Sequence, residues 1–600
     1  MKKLLLFLLL FVYLIADAQE QFPILHQRPA DFKNLSAPDS LGVRSPLKRP
    51  DNNSNKKQLQ QQNLPYPILF IHGLNSNSET WNTFTNTLDA NYNLTFGGRI
   101  DYCLNYDLSA DYTNTNFYPT PDADLALFTD YNTDLIVGDY YYLNFDVGYN
   151  GSFHPTGSSS DYIYSNQSAI AKQGIAVKWA INCVLQKTGR DKVILMGHSM
   201  GGLASREYLQ NPANWQSDGQ HHVAKLVTTG TPHGGSNSSG FGLSSALTGL
   251  DERSEAVRDL RRTYFYSGDN GVYLFGGLEY QNNSTNMDDN ANISGIDFHN
   301  VDVNCNGVTG ETIVGLNQKN IYTDLDYSCI IGECSGCILD VSQGDGVVNE
   351  TSANLTNYYP GLDAGVFYYT ASAVSQIHTD LPSQYYENME GLDEPNEYKL
   401  AYNIDFNTTY TGFTTTQPNG GYFYDYDDYS FTLLSNTKVT VSVSAFSILS
   451  DVSVYILNSN YQILDSASHN IGDPQGIIFS SNLISGKYYL EIVATPTSTS
   501  YLYPYQFILN KTPLIPTEVK AEENSHELFI YPNPATTKLN LVGISGKTVA
   551  KIYDLVGKLV KEIELETESV LDVSDIGEGI YTLTTESANA KTFNKVVITK

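Results

Sequence analysis

Positive charge is in short supply in this 600-residue chain: 35 lysines and arginines face 65 aspartates and glutamates, for a formal net charge of -30. A surface that acidic repels phosphate backbones and anionic head groups, so nucleic-acid binding is excluded as a class. Long apolar runs are missing too. Beyond the first fifteen residues no stretch approaches the roughly 18 apolar residues of a membrane-spanning helix. Cysteine is limited to six, at positions 103, 183, 305, 329, 334 and 337. Charged residues make up only 17% against 41% hydrophobic ones, so this is a folding chain and not a polyelectrolyte. Its length argues for several domains.

Residues 1–18 read as a secretory signal. Lys2 and Lys3 are followed by an apolar run to Ile15 and by the small-x-small site Ala16-Asp17-Ala18. No cysteine stands at the cleavage point, which argues against a lipid anchor there. Export makes all six cysteines disulfide candidates, with a structural zinc site at Cys305, Cys329, Cys334 and Cys337 as the alternative.

Residues 19–64 are rich in Asn, Gln, Ser, Pro and Lys and read as a linker. Texture then changes. Ile68-Leu69-Phe70-Ile71, Val193 to Met196 and Lys225 to Thr229 are short, continuous runs of the kind found in strands buried on both faces of a parallel sheet. Helix-like stretches over 168–185 and 202–210 alternate with them. A doubly wound, mostly parallel α/β domain is expected over 65–395. Over 400–513 the apolar period falls to two, as in DDYSFTL (427–433), and predicts a β-sandwich. A linker at 514–525 precedes a last β unit at 526–600.

The chemistry centres on Gly197-His198-Ser199-Met200-Gly201, placed where a strand runs into a helix. G-x-S-x-G alone is a weak signal; the strand, sharp turn and helix around it make it a candidate nucleophile elbow at Ser199. A serine hydroxyl needs a base, and in this arrangement the acid and then the histidine follow the serine in the chain. Of the eleven histidines, only His299 and His378 lie late enough before the β domains, and His378 is placed where the last strand should end. For the acid, Asp345 stands between two glycines, with Asp340 and Asp380 as rivals. The loop after the first buried strand, His72-Gly73-Leu74, would supply one oxyanion donor, so the N–H groups of Leu74 and Met200 are the expected pair. His72 is expected to brace that loop.

The set PILFIHGL (67–74), VILMGHSMGG (193–202) and TGTPHGGS (229–236) resembles the lipase/esterase branch of the α/β-hydrolase superfamily, including its GPI-deacylase-like members. The resemblance implies a nucleophile at Ser199, an acid at Asp345 and a base at His378, with no cofactor. It also implies a lid-like insertion over about 236–323. Within that insertion DVNCNG (302–307) is similar to the start of a calcium loop, but Ile313 stands where the loop's last acid belongs. The segment 400–513 is similar to bacterial pre-peptidase C-terminal domains. FIYPNPATT (529–537), with IYDLVG (552–557), resembles the type IX secretion C-terminal sorting domain, which implies that pathway's machinery as partner and a secreted or cell-surface destination. The expected activity is hydrolysis of carboxylic esters, neutral lipids included, through an acyl-enzyme. Phospholipase, polyester or amide cleavage and a non-catalytic adhesin are the alternatives.

Overall fold

The computed structural model describes residues 63–104, 127–147, 153, 165–236, 255–260, 273–275, 304, 313–334, 344–371, 377–415, 424–444, 451–470, 476–495, 504–514, 528–544, 546–566, 569–587 and 591–600. The expected signal sequence, almost all of the first linker, His299, Asp340, Cys305, Cys337 and most of the calcium-like loop lie outside them. The chain forms two compact units, residues 1–512 and 513–600.

The first unit is built on seven strands: β1 (Ile68–Ile71), β2 (Phe96–Asp101), β3 (Tyr140–Asn144), β4 (Val193–His198), β5 (Val223–Thr229), β6 (Asp326–Cys334) and β7 (Gly365–Ala371). They lie in the order β2-β3-β1-β4-β5-β6-β7 and every pairing is parallel. This is the expected doubly wound sheet. β1, β3, β4 and β5 are buried along their whole length, which is why they carry unbroken apolar or tyrosine runs. Side chains on one face of these strands, among them Phe70, Tyr142 and Met196, cluster with Phe84, Leu88 and Met389 from helices Asn82–Tyr92 and Tyr385–Leu392. On the other face Leu69, Leu143 and Leu195 meet Val177, Ile181 and Ala204 from helices Ile170–Thr188 and Met200–Gln210.

Nine strands follow: β8 (Tyr402–Asn403), β9 (Thr409–Gly412), β10 (Asp425–Leu433), β11 (Thr437–Ser444), β12 (Asp451–Asn458), β13 (Ile463–His469), β14 (Ile477–Leu483), β15 (Gly486–Thr495) and β16 (Tyr505–Pro513). They make a five-stranded sheet, β13-β12-β15-β10-β8, and a four-stranded one, β14-β11-β16-β9. The period-two alternation is visible in β11, where Val439, Val441 and Val443 are buried while Lys438 and Ser444 face water. The sandwich is joined to the α/β body by one continuous apolar cluster running from Tyr66 and Tyr92 to Tyr402 and Phe413. Polar links reinforce it: Arg190 Nη1 donates to Asp405 Oδ2 (2.6 Å) and Thr411 N to Asn63 O (2.7 Å). Asn63 and Leu64 already belong to this body, because their N–H groups are held by the buried carboxylate of Asp139.

The second unit is all β, with strands β17 (Phe529–Tyr531), β18 (Lys538–Val542), β19 (Thr548–Tyr553), β20 (Leu559–Leu565), β21 (Ser569–Asp572), β22 (Gly579–Ser587) and β23 (Lys591–Ile598). They form sheets of three (β17-β18-β21) and four strands (β20-β19-β22-β23) around Leu539, Leu541, Ile552, Leu583 and Val596. Two all-β regions thus follow the α/β sheet, as the sequence implies.

For three of the six cysteines the expectation needs correction. Cys103, Cys183 and Cys329 are buried thiols, and no disulfide occurs among the described residues. Each sits in the α/β core, where the thiol packs as a small hydrophobe; burial pushes Cys183 up to about 12.

Candidate active site

β4 ends at His198 and the helix begins at Met200, so Ser199 alone makes the turn. Its backbone, at φ 54° and ψ -127°, is a conformation that a side chain rarely adopts, and such strain persists only where the surroundings impose it. They do so here through close approach. A Cβ on Gly201 would lie 2.5 Å from the carbonyl oxygen of His72, and one on Gly73 would lie 2.6 Å from Ser199 Cβ. Only glycine lets the β1 loop and the helix close on the serine from both sides. Ser199 N donates to Thr229 O at the end of β5 (2.8 Å), pinning the turn.

His378 lies in the short helix Ile377–Asp380 that follows β7, and Asp345 in a tight turn after β6. The three side chains meet at the carboxyl ends of β4, β6 and β7. His378 Nε2 is 2.9 Å from Ser199 Oγ, and His378 Nδ1 is 2.7 Å from Asp345 Oδ2. All three residues are buried. Since a carboxylate only accepts, Nδ1 carries the proton and Nε2 is left to receive one from the serine. The other carboxylate oxygen, Asp345 Oδ1, accepts from the N–H groups of Val347 (2.9 Å) and Val348 (2.6 Å), which fixes the carboxylate plane. The rival Asp380 is exposed, and it is Asp345 that accepts the hydrogen bond from His378 Nδ1–H.

Leu74 follows β1 and Met200 follows β4, and these strands are neighbours with Ile71 beside Gly197. Both residues therefore stand at the same edge as Ser199. Met200 opens its helix, so its N–H has no acceptor within that helix. His72 is buried beneath the loop: Phe145 N donates to its Nε2 (2.8 Å), leaving Nδ1–H for Gly73 O (2.9 Å). This is the bracing contact expected of it.

Sequence reasoning passed over His198. Its Nε2 donates to the carbonyl of His378 (2.8 Å), and its ring lies 4.9 Å from the His378 ring. Burial, and then the neighbouring His378, hold His198 well below the usual histidine range, so it stays neutral and places no second cation beside His378. Its position inside the elbow was visible; its partner 180 residues on was not. The TGTPHGGS stretch has a supporting part. His233 is buried against Arg206 and Thr228, and Ser236 Oγ donates to Val347 O (2.5 Å) in the Asp345 turn.

Residues 64–240 match the family described as PGAP1-like alpha/beta domain. That stretch of the chain is similar to this family over β1 to β5 and the candidate nucleophile turn. Residues 529–599 match the secretion system C-terminal sorting domain, so the chain is addressed for export by type IX secretion, to the cell surface or beyond it. No helix among the described residues is long and apolar enough to cross a membrane. No curated protein gives a significant match. Among solved structures, the product of gene lin2722 from Listeria innocua is 15% identical, over 55% of this chain and 95% of that one, at a TM-score of 0.29. PorZ, a surface component of the type IX secretion system of Porphyromonas gingivalis, is 15% identical over 12% of this chain and 11% of its own, at 0.11. A β-glucuronidase of Ruminococcus gnavus is 12% identical over 31% and 36%, at 0.12. Likenesses this faint say nothing about chemistry.

Proposed function

We propose that this exported chain is a serine hydrolase of carboxylic esters. The observation that carries the reading is the unbroken relay from Ser199 Oγ through His378 to Asp345, at 2.9 and 2.7 Å, on a strained strand-to-helix turn. Ser199 Oγ attacks the ester carbonyl as His378 Nε2 takes its proton. The carbonyl π pair moves onto oxygen, where the N–H groups of Leu74 and Met200 receive it. Collapse of that intermediate expels the alcohol, protonated by His378, and leaves an acyl-serine. Water then attacks by the same roles and frees the acid. With a net charge of -30 the protein favours neutral esters over anionic ones.

The test is hydrolysis of a p-nitrophenyl ester series from acetate to palmitate, together with labelling by a fluorophosphonate. Turnover with one phosphonyl group per chain, on Ser199 by mass spectrometry, is the expected outcome. Inertness toward every ester, or a label on another residue, would sink the reading.

His198 belongs to this reading as a positioning residue. His198→Ala removes the donor that holds the His378 backbone and should lower kcat about tenfold to a hundredfold with KM little changed. His198→Gln, which keeps an N–H donor, should recover part of it. A KM rise with kcat intact would show instead that His198 only shapes the binding surface.

A further inference from the structure

The junction between the α/β body and the sandwich holds a concentration of negative charge that catalysis does not use. Asp393 and Glu394 follow helix Tyr385–Leu392, and Asp425 and Asp427 lie on β10; all four are buried. One carboxylate oxygen from each of Asp393, Asp425 and Asp427 lies within 4.8 Å of the other two.

Most of the neighbouring donors are spoken for. Asp425 accepts from Thr415 N (3.0 Å) and Asp427 Oδ2 from Tyr505 OH (2.6 Å). Glu394 accepts from Tyr429 OH (3.0 Å) and Phe413 N (3.3 Å). Lys225 Nζ donates to the Asp393 carbonyl (2.6 Å), but its charge is paired with Asp326 at 2.7 Å. Two oxygens are left over. Asp427 Oδ1, on a residue 0% exposed, and Asp393 Oδ1, on one 8% exposed, have no hydrogen-bond partner among the described residues. An orphan carboxylate oxygen at that depth is costly, and two in one cluster make the cost a property of the cluster. Desolvation and then mutual repulsion push Asp427 and Glu394 upward, Glu394 to about 8.

We infer that Asp393, Asp425 and Asp427 form a binding site for a hard divalent cation, calcium, which fastens the sandwich to the α/β body. The donor set is all oxygen, which selects calcium or magnesium over softer metals. Calcium binds oxygens at about 2.3–2.6 Å, so two of its ligands can stand up to roughly 5 Å apart, a spread that matches this cluster. Magnesium, at about 2.1 Å with strict octahedral geometry, demands a tighter one. Three carboxylates, each able to use both oxygens, reach the lower end of the six to eight ligands calcium takes. One ligand comes from the segment that continues from His378 through helix Tyr385–Leu392, and two come from β10. The ion would therefore tie the sandwich to the segment carrying the histidine. None of its residues belongs to the calcium-like motif at 302–307.

The experiment uses the full chain. Thermal unfolding in about 10 mM calcium, well above the dissociation constant of weak extracellular sites, is compared with unfolding in chelator. Terbium luminescence, sensitised by Tyr429 and Tyr505, reads binding directly. The expected result is a midpoint a few degrees higher in calcium and a terbium signal that calcium displaces. Asp425→Asn and Asp427→Asn should each lose both responses. In chelator each should unfold no earlier than the wild type, because each removes a buried charge from a repelling cluster. A wild type indifferent to calcium in both readouts overturns the site, and so does a calcium response that survives both substitutions.

Discussion

Ser199→Ala is expected to lower kcat on a p-nitrophenyl ester by about a million-fold, and adding His378→Ala to it should cost almost nothing more. In the proposed mechanism the two act as one device, since the imidazole has no proton to collect once Oγ is gone and the hydroxyl is inert without the imidazole. Asp345→Asn should cost about ten-thousand-fold, for a different reason. Oδ1 accepts two backbone N–H groups while Oδ2 accepts His378 Nδ1–H, so the site demands acceptors on both sides. An asparagine has one acceptor. With its oxygen toward Val347 and Val348, its NH2 faces His378 and drives the proton to Nε2, the tautomer that cannot accept from Ser199. Single-turnover kinetics on purified variants of matched melting temperature checks all three. A strictly additive loss in the double variant would mean that Ser199 and His378 do not work on the same step.

That argument rests on the proposed roles of three residues that the sequence already brings forward, because an elbow is a local pattern. Strand, glycine-flanked serine and helix are contiguous, and chain order then narrowed the histidine by elimination. The choice of Asp345 over Asp340 and Asp380 was harder, since nothing local says which carboxylate a distant imidazole meets. The fold was legible where burial on both faces left unbroken aliphatic runs, as in β1, β4 and β5. It was not in β2 and β3. FGGRID hides a buried strand behind two glycines and an ion pair, Arg99 to Asp101 at 2.7 Å, and YYYLN reads as polar although its tyrosines are fully buried. Cys103, Cys183 and Cys329 misled because counting and compartment say nothing of which side chains a fold brings together. The same limit hid the carboxylate cluster: Asp425 and Asp427 share a face of β10, but Asp393 joins them only through the packing of the sandwich on the body.

Lys172→Met should destabilise the first unit by about 3–5 kcal/mol, the largest stability loss expected from one substitution away from the site. Helix Ile170–Thr188 begins without a capping side chain of its own, because Ala169 stands at the N-cap. Two carboxylates from the short helix Glu255–Leu260, inside the long insertion after β5, serve it instead. Glu255 Oε2 accepts from Ala169 N (3.0 Å) and Asp259 Oδ2 from Ile170 N (2.9 Å). Negative charge is favoured at that end by the helix dipole, but Glu255 is buried and depends on Lys172, whose Nζ lies 2.7 Å from Oε1. Methionine fills the volume of the lysine stem and removes only the charge, so the loss reports the uncompensated carboxylate and not a cavity. Lys172→Met/Glu255→Gln should recover most of the stability, since the glutamine keeps an oxygen for Ala169 N without a charge to bury. Urea unfolding midpoints of wild type, single and double variants decide it. A double variant no more stable than Lys172→Met would mean that the ammonium matters for contacts other than this pair. The recovery matters for function because this pair docks a described helix of the insertion on the body that carries Ser199.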